Sequence, residues 1–423
     1  MPPEIRAALS DADRAGVRRL LKEGFEARPG MGRVVAGLYD RLVGIDELGP
    51  PTERQVGPAR SLVGEMNGKV VGHVLVVFRP FCFQEVRVPG AQVGMLVVDP
   101  ACRRQGIGTE LVHAAEALAT REGAALVHLS GDPEYYGRLG FIEGYRRAEC
   151  RLAVEDLDAG ERPSYRTLLP DDIPGLVAMA GRDAPAGSVA CTDHRFQWLL
   201  QSGHPFGLLR CQEGFLGFRA ESDLRVVLVH EDAPVGYLLA AADEDTLGVY
   251  EAARCGREPL LDAAAWMARD RGCRQLALSL PATHPLICKA EGLGAGVDRG
   301  VDPRLMTRVL DVARLMRDLA PCLSRRLAAS PCAGWSGTIG FEVDAYPFRL
   351  CVSEGRVAFD AGEAPEGRWR VVLPGIGLVR AVLGTEGLAE LAAARLRDEP
   401  ELREILRVLF PQLDPHFWMA DML

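Results

Sequence analysis

The chain is almost without lysine. Only Lys22, Lys69 and Lys289 occur in 423 residues, and nearly all of the 49 basic residues are arginine. Acidic residues outnumber basic ones, 58 to 49, for a net charge of −9. That balance excludes nucleic acid as the main partner, because phosphate binding needs a basic face. No apolar run reaches the roughly 18–20 residues that cross a bilayer. Met1–Ser10 lacks the basic-then-apolar order of a secretion signal, so a cytoplasmic location is expected. The 11 cysteines are scattered and never form a Cys-x-x-Cys pair, which argues against a disulfide frame or a zinc site. The histidines show no metal-ligand spacing, and no metal is expected.

What is present divides into three segments, since 423 residues exceed one hydrophobic core. The first, residues 1–155, opens on a short strand, Ile5–Leu9. Ser10 or Asp11 then caps a helix that continues through Val17, Leu20 and Leu21. Asn67-Gly68, between strands at Leu62–Glu65 and Val70–Phe78, is a strong hairpin signal because both residues tolerate positive φ. A strand at Ala91–Val98 stops at Asp99-Pro100. The next helix, from about Gly108 to Glu122, carries Leu111, Val112, Ala115, Leu118 and Ala119 on one face. Glu110, Glu116 and Glu122 read as its solvated face, and Ala124–Leu129 as the following strand.

The second segment, residues 156–303, repeats this plan. Tyr165–Asp172 echoes Ile5–Asp13, and Asp232–Leu238 echoes Gly68–Leu75. Leu260–Gly272 followed by Leu276–Ser279 echoes Leu111–Gly123 followed by Val127–Ser130. Three matches in one order imply a domain-sized duplication. The third segment, residues 304–423, reads as a small α+β layer: an amphipathic helix at Val309–Leu327, four strands between Trp335 and Leu373, then helices. Glu155–Ser164 and Arg299–Arg304 read as linkers, and Gly44–Pro58 and Phe81–Pro89 as loops beside a cleft.

One turn carries chemistry. In Val98-Asp99-Pro100-Ala101-Cys102-Arg103-Arg104-Gln105-Gly106-Ile107-Gly108-Thr109, two glycines free the backbone between a strand and a helix. Backbone N–H groups and the helix N-terminus there suit a pyrophosphate, and Arg103 and Arg104 add charge-assisted bonds. A dinucleotide fingerprint would need glycine at Leu111, and a P-loop would need Gly-Lys-Ser/Thr; neither is present. Downstream stands Asp132-Pro133-Glu134-Tyr135-Tyr136-Gly137-Arg138-Leu139-Gly140-Phe141.

Arg103-x-x-Gly106-x-Gly108 followed by Tyr136-x-x-x-Gly140-Phe141 resembles the GCN5-related N-acetyltransferase (GNAT) superfamily, over roughly Ile5–Leu152. The resemblance implies a mixed-sheet GNAT fold using acetyl-coenzyme A. It implies that Leu96, Val97 and Val98 hold the pantetheine arm, and that Arg103, Arg104, Gln105, Gly106, Ile107, Gly108 and Thr109 wrap the pyrophosphate. Tyr136 would protonate the leaving thiolate, an ordinary phenol near pKa 10 being close to a thiol near 8.5. Tyr135, next door, reads as packing. In the second copy, Cys255 and Arg257 stand at the glycine positions and Cys288 at the tyrosine position, so that copy is expected to keep the fold and lose the cofactor.

Two acetyltransferase-like halves and a third α+β domain, closing on Leu409-Phe410-Pro411 and Asp414-Pro415-His416-Phe417-Trp418, resemble the enhanced intracellular survival (Eis) type. This implies a sterol carrier protein-like third domain and a homo-oligomer, up to a hexamer built from trimers. It further implies an amine acceptor, aminoglycoside-like or another polyamine or a lysine side chain. The terminal carboxylate, here that of Leu423, would be the general base; the family's last residue is often aromatic, and leucine departs from that. A free α-carboxyl titrates near 3.5 and needs burial to become a useful base. The alternative function is a non-catalytic acyl-coenzyme A or lipid carrier. His73 and His128 lie on strands near the cleft and read as core residues.

Overall fold

The computed structural model describes residues 3–26, 30–44, 59–158, 160–182, 184–191, 195–196, 223–230, 233–242, 245–254, 260–362, 369–393, 399–418 and 421. In the first segment the elements run β1 (Glu4–Ala7), α1 (Asp11–Gly24), α2 (Met31–Gly44), β2 (Ala59–Met66), β3 (Lys69–Phe83), β4 (Val86–Val98), α3 (Ile107–Arg121), β5 (Leu126–Ser130), α4 (Pro133–Gly137), β6 (Ile142–Glu143) and β7 (Arg146–Ala153). The second adds β8 (Tyr165–Thr167), α5 (Ile173–Arg182), β9 (Asp223–His230), β10 (Ala233–Ala242), β11 (Thr246–Arg254), α6 (Leu260–Asp270), β12 (Gln275–Leu280), α7 (Pro285–Gly292) and β13 (Val297–Val301), and β14 (Leu305–Val309) opens the third. The third adds α8 (Val312–Ala328), β15 (Gly337–Val343), β16 (Tyr346–Ser353), β17 (Arg356–Ala361), β18 (Arg370–Leu373), α9 (Gly375–Leu383), α10 (Leu388–Leu391) and α11 (Pro400–Leu409).

Local chemistry sets the first turns. The Ser10 side chain accepts from the Asp13 N–H, and Asp13 accepts from the Ser10 N–H in return, a reciprocal cap for α1. Arg6 grips the same carboxylate with both terminal nitrogens, at 2.9 and 2.7 Å. This arrangement recurs in the second copy, where Arg166 grips Asp172 at 2.6 and 2.7 Å and the Leu169 N–H donates to Asp172 at 2.8 Å. The echo between Ile5–Asp13 and Tyr165–Asp172 is therefore a shared ion pair. The β2–β3 hairpin turns on Asn67 (φ 52°) and Gly68 (φ 74°), both left-handed as a two-residue hairpin requires.

The two large sheets have the same plan. One has the order β1-β2-β3-β4-β5-β14-β6; the other, read from its far edge, has β8-β9-β10-β11-β12-β7-β13. Each sheet holds a strand from the other half of the chain. Met306 of β14 pairs with Leu129, and Leu278 of β12 pairs with Cys150 of β7. Sheet boundaries thus run across chain positions 155 and 303. The linker expected at Arg299–Arg304 is in part β13, whose Arg299 pairs with Ala148. The exchange has a side-chain counterpart: Arg308 of β14 donates to Glu116 at 2.8 Å and to the Leu139 carbonyl at 2.8 Å. Glu116 is accordingly buried, which corrects the expected solvated face, and burial raises its pKa.

Phe81–Pro89 is not a loop. β3 and β4 stay paired to Phe83↔Val86 and turn at Gln84 (φ 56°) and Glu85. Pro80 and Pro89 face each other across this ribbon, so strand-breaking residues sit inside a strand pair. Phe81, Phe83 and Val88 anchor it in the core of the third segment, among Leu315, Leu319, Phe341 and Leu383. That segment is a four-stranded sheet, β17-β16-β15-β18, covered by helices. After α11 the chain runs back over the other segments. The Arg146 N–H donates to the Pro415 carbonyl at 2.7 Å, Phe417 is buried in the third-segment core, and Trp418 in the core around α6 and β12. Gly44–Pro58 lies, apart from Gly44 at the end of α2, outside the described residues.

Candidate active site

A cleft of about 450 Å³ opens where β4 ends and α3 begins. Its walls are Leu96, Val97 and Val98 on the strand, Arg103 and Arg104 in the turn, Gly106 to Thr109 on the helix, Gly24 and Phe25 at the end of α1, and Tyr135. The backbone is unusual on both sides. Arg104 (φ 62°) and Gly106 (φ 83°) are left-handed, a conformation costly for arginine and free for glycine. No side chain caps α3 at Gly106, so the first-turn N–H groups keep their donors for another acceptor. These groups and the positive end of a 15-residue helix suit an anionic ligand. At Gly108, on the first turn of α3, a Cβ would lie 2.9 Å from the Tyr135 hydroxyl, so a larger residue there displaces the end of that side chain.

On the strand side, the β3–β4 register slips between His73 and Leu75, where β4 carries Met95 at φ 53°. This bulge re-aims the backbone of β4 beyond Gly94. The pairing of β4 with β5 stops at Val93↔Leu129. From Gly94 to Val98 the β5-facing edge of β4 therefore has no ladder partner among the described residues. An extended amide-bearing ligand can add there as a strand does. His73 supports the bulge from behind: one ring nitrogen lies 3.1 Å from the Met95 carbonyl, the other 3.1 Å from Ser61 Oγ, which in turn contacts the Tyr39 hydroxyl.

The structure separates the two tyrosines. Tyr135 lines the cleft, its hydroxyl 3.4 Å from Thr109 Oγ1. It packs against the core of the first sheet, its expected role, and borders the cleft as well. Tyr136 stands behind it, ring against ring at 4.9 Å, and also meets Phe141 at 5.9 Å. Its hydroxyl makes no hydrogen bond with the described residues, and burial pushes its pKa above the ordinary phenol value. The ordinary value near 10 therefore understates how firmly this proton is held. Gly131 gives the ring room, since a Cβ there would stand 2.1 Å from Tyr136 Cε2.

His73 and His128 are fully buried, and burial lowers both pKa values to about 3, so both are neutral. His128 stacks on Phe417 of the C-terminal tail at 4.1 Å between centroids, with Tyr145 edge-on at 5.1 Å. The tail thus reaches the β5 side of the first sheet. Its last described residue, Asp421, is buried and bonded to Arg79 of β3 and to Arg195. Leu423, expected to supply the base, lies outside the described residues. No group of His, Cys, Asp and Glu among the described residues forms a metal site.

The second copy keeps a cleft at the corresponding place, about 620 Å³, between the end of α5, the end of β11 and the start of α7. Cys255 and Arg257 lie outside the described residues. In α7, His284 is the cap and Pro285 the first residue, as Asp132 and Pro133 are in α4, so Cys288 takes the place of Tyr136. Asp414 and Trp418 of the tail cover this cleft.

Residues 35–141 match the acetyltransferase (GNAT) family. No curated protein matches the chain. Among solved structures, a GCN5-related N-acetyltransferase from Anabaena variabilis superposes with a TM-score of 0.72 at 12% identity, over 99% of this chain and 100% of that one. A GCN5-related N-acetyltransferase from Kribbella flavida gives 0.69 at 18% identity, over 99% and 100%. Eis1 from Mycobacterium abscessus gives 0.62 at 18%, over the whole of both chains. No helix among the described residues is long and apolar enough to cross a membrane. The chain thus carries a match to the GNAT acetyltransferase family over residues 35–141 and has, end to end, the fold of GCN5-related N-acetyltransferases.

Proposed function

We propose that the chain moves an acetyl group from acetyl-coenzyme A to the amine of a small-molecule acceptor by direct attack. The observation that carries this reading is the pairing of an uncapped α3 N-terminus with an open, bulged β4 edge in one cleft. The first suits a pyrophosphate and the second an amide-bearing arm; acetyl-coenzyme A has both. Arg103, Arg104, Gln105, Gly106, Ile107, Gly108 and Thr109 hold the pyrophosphate. Leu96, Val97 and Val98 hold the arm through their backbone, and the re-aimed strand offers an N–H donor to the developing oxyanion.

The Leu423 carboxylate takes a proton from the attacking amine while a C–N bond forms and the C–S bond breaks. Tyr136 gives its phenolic proton to the departing sulfur. Its raised pKa keeps that proton in place through neutral pH, and its hydroxyl has no competing partner among the described residues. That free hydroxyl favours turnover over a carrier that only binds acyl-coenzyme A. The acceptor is an amine of the aminoglycoside or polyamine class, the protein is cytoplasmic and oligomeric, and the third domain is sterol carrier protein-like. A thiol-release assay with acetyl-coenzyme A and a panel of such amines tests the reading: release dependent on an amine supports it, and no release with any amine removes it.

A further inference from the structure

The bulge of β4 has a counterpart in the second copy, and only the first copy braces its backbone. Ladder ends align the two: β4–β5 pairing stops at Val93↔Leu129, and β11–β12 pairing at Val249↔Leu278. Five residues further along each strand, Val98 faces Gly72 and Arg254 faces Gly236. His73 therefore corresponds to Tyr237, and Met95 to Glu251. The cleft walls agree, with Leu96, Val97 and Val98 in one and Ala252, Ala253 and Arg254 in the other.

At the bulge the copies part. Met95 is left-handed (φ 53°), a strained state for any residue with a side chain, and Glu251 is not left-handed. Tyr237 reaches past the backbone: its hydroxyl donates to the Glu251 carboxylate at 2.7 Å, which also takes both terminal nitrogens of Arg195. His73 instead meets the Met95 carbonyl. A carbonyl only accepts, so Nδ1 carries the ring proton and donates it there. Nε2 then accepts from the Ser61 hydroxyl, and Ser61 Oγ accepts from Tyr39. The three bonds run one way, from Tyr39 to the Met95 carbonyl, and each strengthens the next. All three side chains are buried.

Peptide geometry carries this order to the cleft. The Met95 carbonyl and the Leu96 N–H share one planar trans peptide and point in opposite directions. The carbonyl points to His73 of β3, so the Leu96 N–H points to the open β5 side, where Leu96 lines the cleft. Strand alternation agrees, since the Asp99 N–H reaches back to the Val71 carbonyl of β3 and the amide of residue 96 takes the other edge.

We propose that His73, aligned by Ser61 and Tyr39, is a positioning residue for acetyl transfer that holds the Met95–Leu96 peptide so that the Leu96 N–H meets the thioester oxygen. This rests on the reading of the cleft as the acetyl-coenzyme A site. As the amine adds, negative charge gathers on that oxygen, and it leaves again when the carbonyl re-forms and the C–S bond breaks. The Leu96 N–H stays bonded throughout, and no proton passes along the chain. The bond to the Met95 carbonyl also polarises the shared peptide, which makes its N–H a stronger donor.

The test uses the full chain with His73→Leu, His73→Asn and Ser61→Ala. Leucine removes the donor, asparagine keeps one near the Nδ1 position, and Ser61→Ala leaves the ring without its alignment. Hydrogen exchange over residues 94–98 is read in the unliganded chain. The infrared carbonyl stretch of bound acetyl-coenzyme A is read without amine, and kcat is read beside Kd for coenzyme A. His73→Leu should exchange faster, return the stretch toward its free value and lower kcat about tenfold or more, with Kd within about twofold. His73→Asn should stay within about threefold of the wild-type kcat, and Ser61→Ala should fall between the two. Unchanged exchange in both His73→Leu and Ser61→Ala overturns the brace, whether or not the chain turns over acetyl-coenzyme A. Faster exchange with the wild-type stretch and kcat overturns the positioning role, as do equal losses in His73→Leu and His73→Asn. A wild-type chain that binds no coenzyme A fails the reading of the cleft, and the exchange result still decides the brace.

Discussion

The Tyr135 hydroxyl stands where a Cβ on residue 108 would come within 2.9 Å of it, so the glycine of the turn and the aromatic of the downstream motif are fitted to each other. Gly108→Ala should weaken acetyl-coenzyme A binding about tenfold, roughly 1.4 kcal/mol, by pushing Tyr135 into the cleft. Tyr135→Phe removes the offending oxygen, so the double variant should recover most of the loss. Calorimetric titration of the four proteins gives the coupling; additive losses would mean the two residues do not share the site.

Tyr136→Phe should lower kcat by about 10²–10⁴ with little change in acetyl-coenzyme A affinity, since the ring packing remains and only the proton is lost. Equal kcat would return Tyr136 to a packing role. Steady-state kinetics and a binding titration on the same preparation separate these outcomes.

Acid should destabilise the fold before its carboxylates titrate. His73 and His128 are held neutral, with folded pKa values of about 3 against an unfolded value near 6.5. Unfolded chains therefore bind protons that the folded chain refuses, and stability falls as pH drops below about 6.5. Each histidine accounts for about 2 kcal/mol at pH 5. Urea midpoints at pH 7 and pH 5 should show this slope, and His73→Gln with His128→Gln should flatten it. A slope unchanged in the double variant would assign it to other groups.

The exchanged strands make a prediction about dissection. A fragment of residues 1–155 lacks β14, leaves β5 with an open edge and carries β7 without its sheet. It should show no cooperative thermal unfolding, whereas the full chain should. A cooperative, soluble fragment would show that the exchange is dispensable.

These features differ in how far the sequence discloses them. Asn67-Gly68 and Arg103–Gly108 are legible because their chemistry is local: a left-handed turn and an uncapped helix start are written in adjacent residues. The duplication is legible in order, and the Arg6–Asp13 and Arg166–Asp172 pairs explain why. The exchange of β7 and β14 is not, since alternation marks a strand and says nothing about which sheet receives it. Pro80 and Pro89 hide the β3–β4 ribbon, because breakers are read singly and here they face each other. The Arg79, Arg195, Glu251 and Asp421 cluster joins residues up to 342 positions apart, with no local signal.

The most direct test of acetyl transfer follows coenzyme A release and the mass of the amine together, in one reaction of the full chain with acetyl-coenzyme A and the polyamine panel. Thiol release should be matched mole for mole by an amine one acetyl group heavier. Thiol release without an acetylated amine, or no release with any amine, would contradict acetyl transfer.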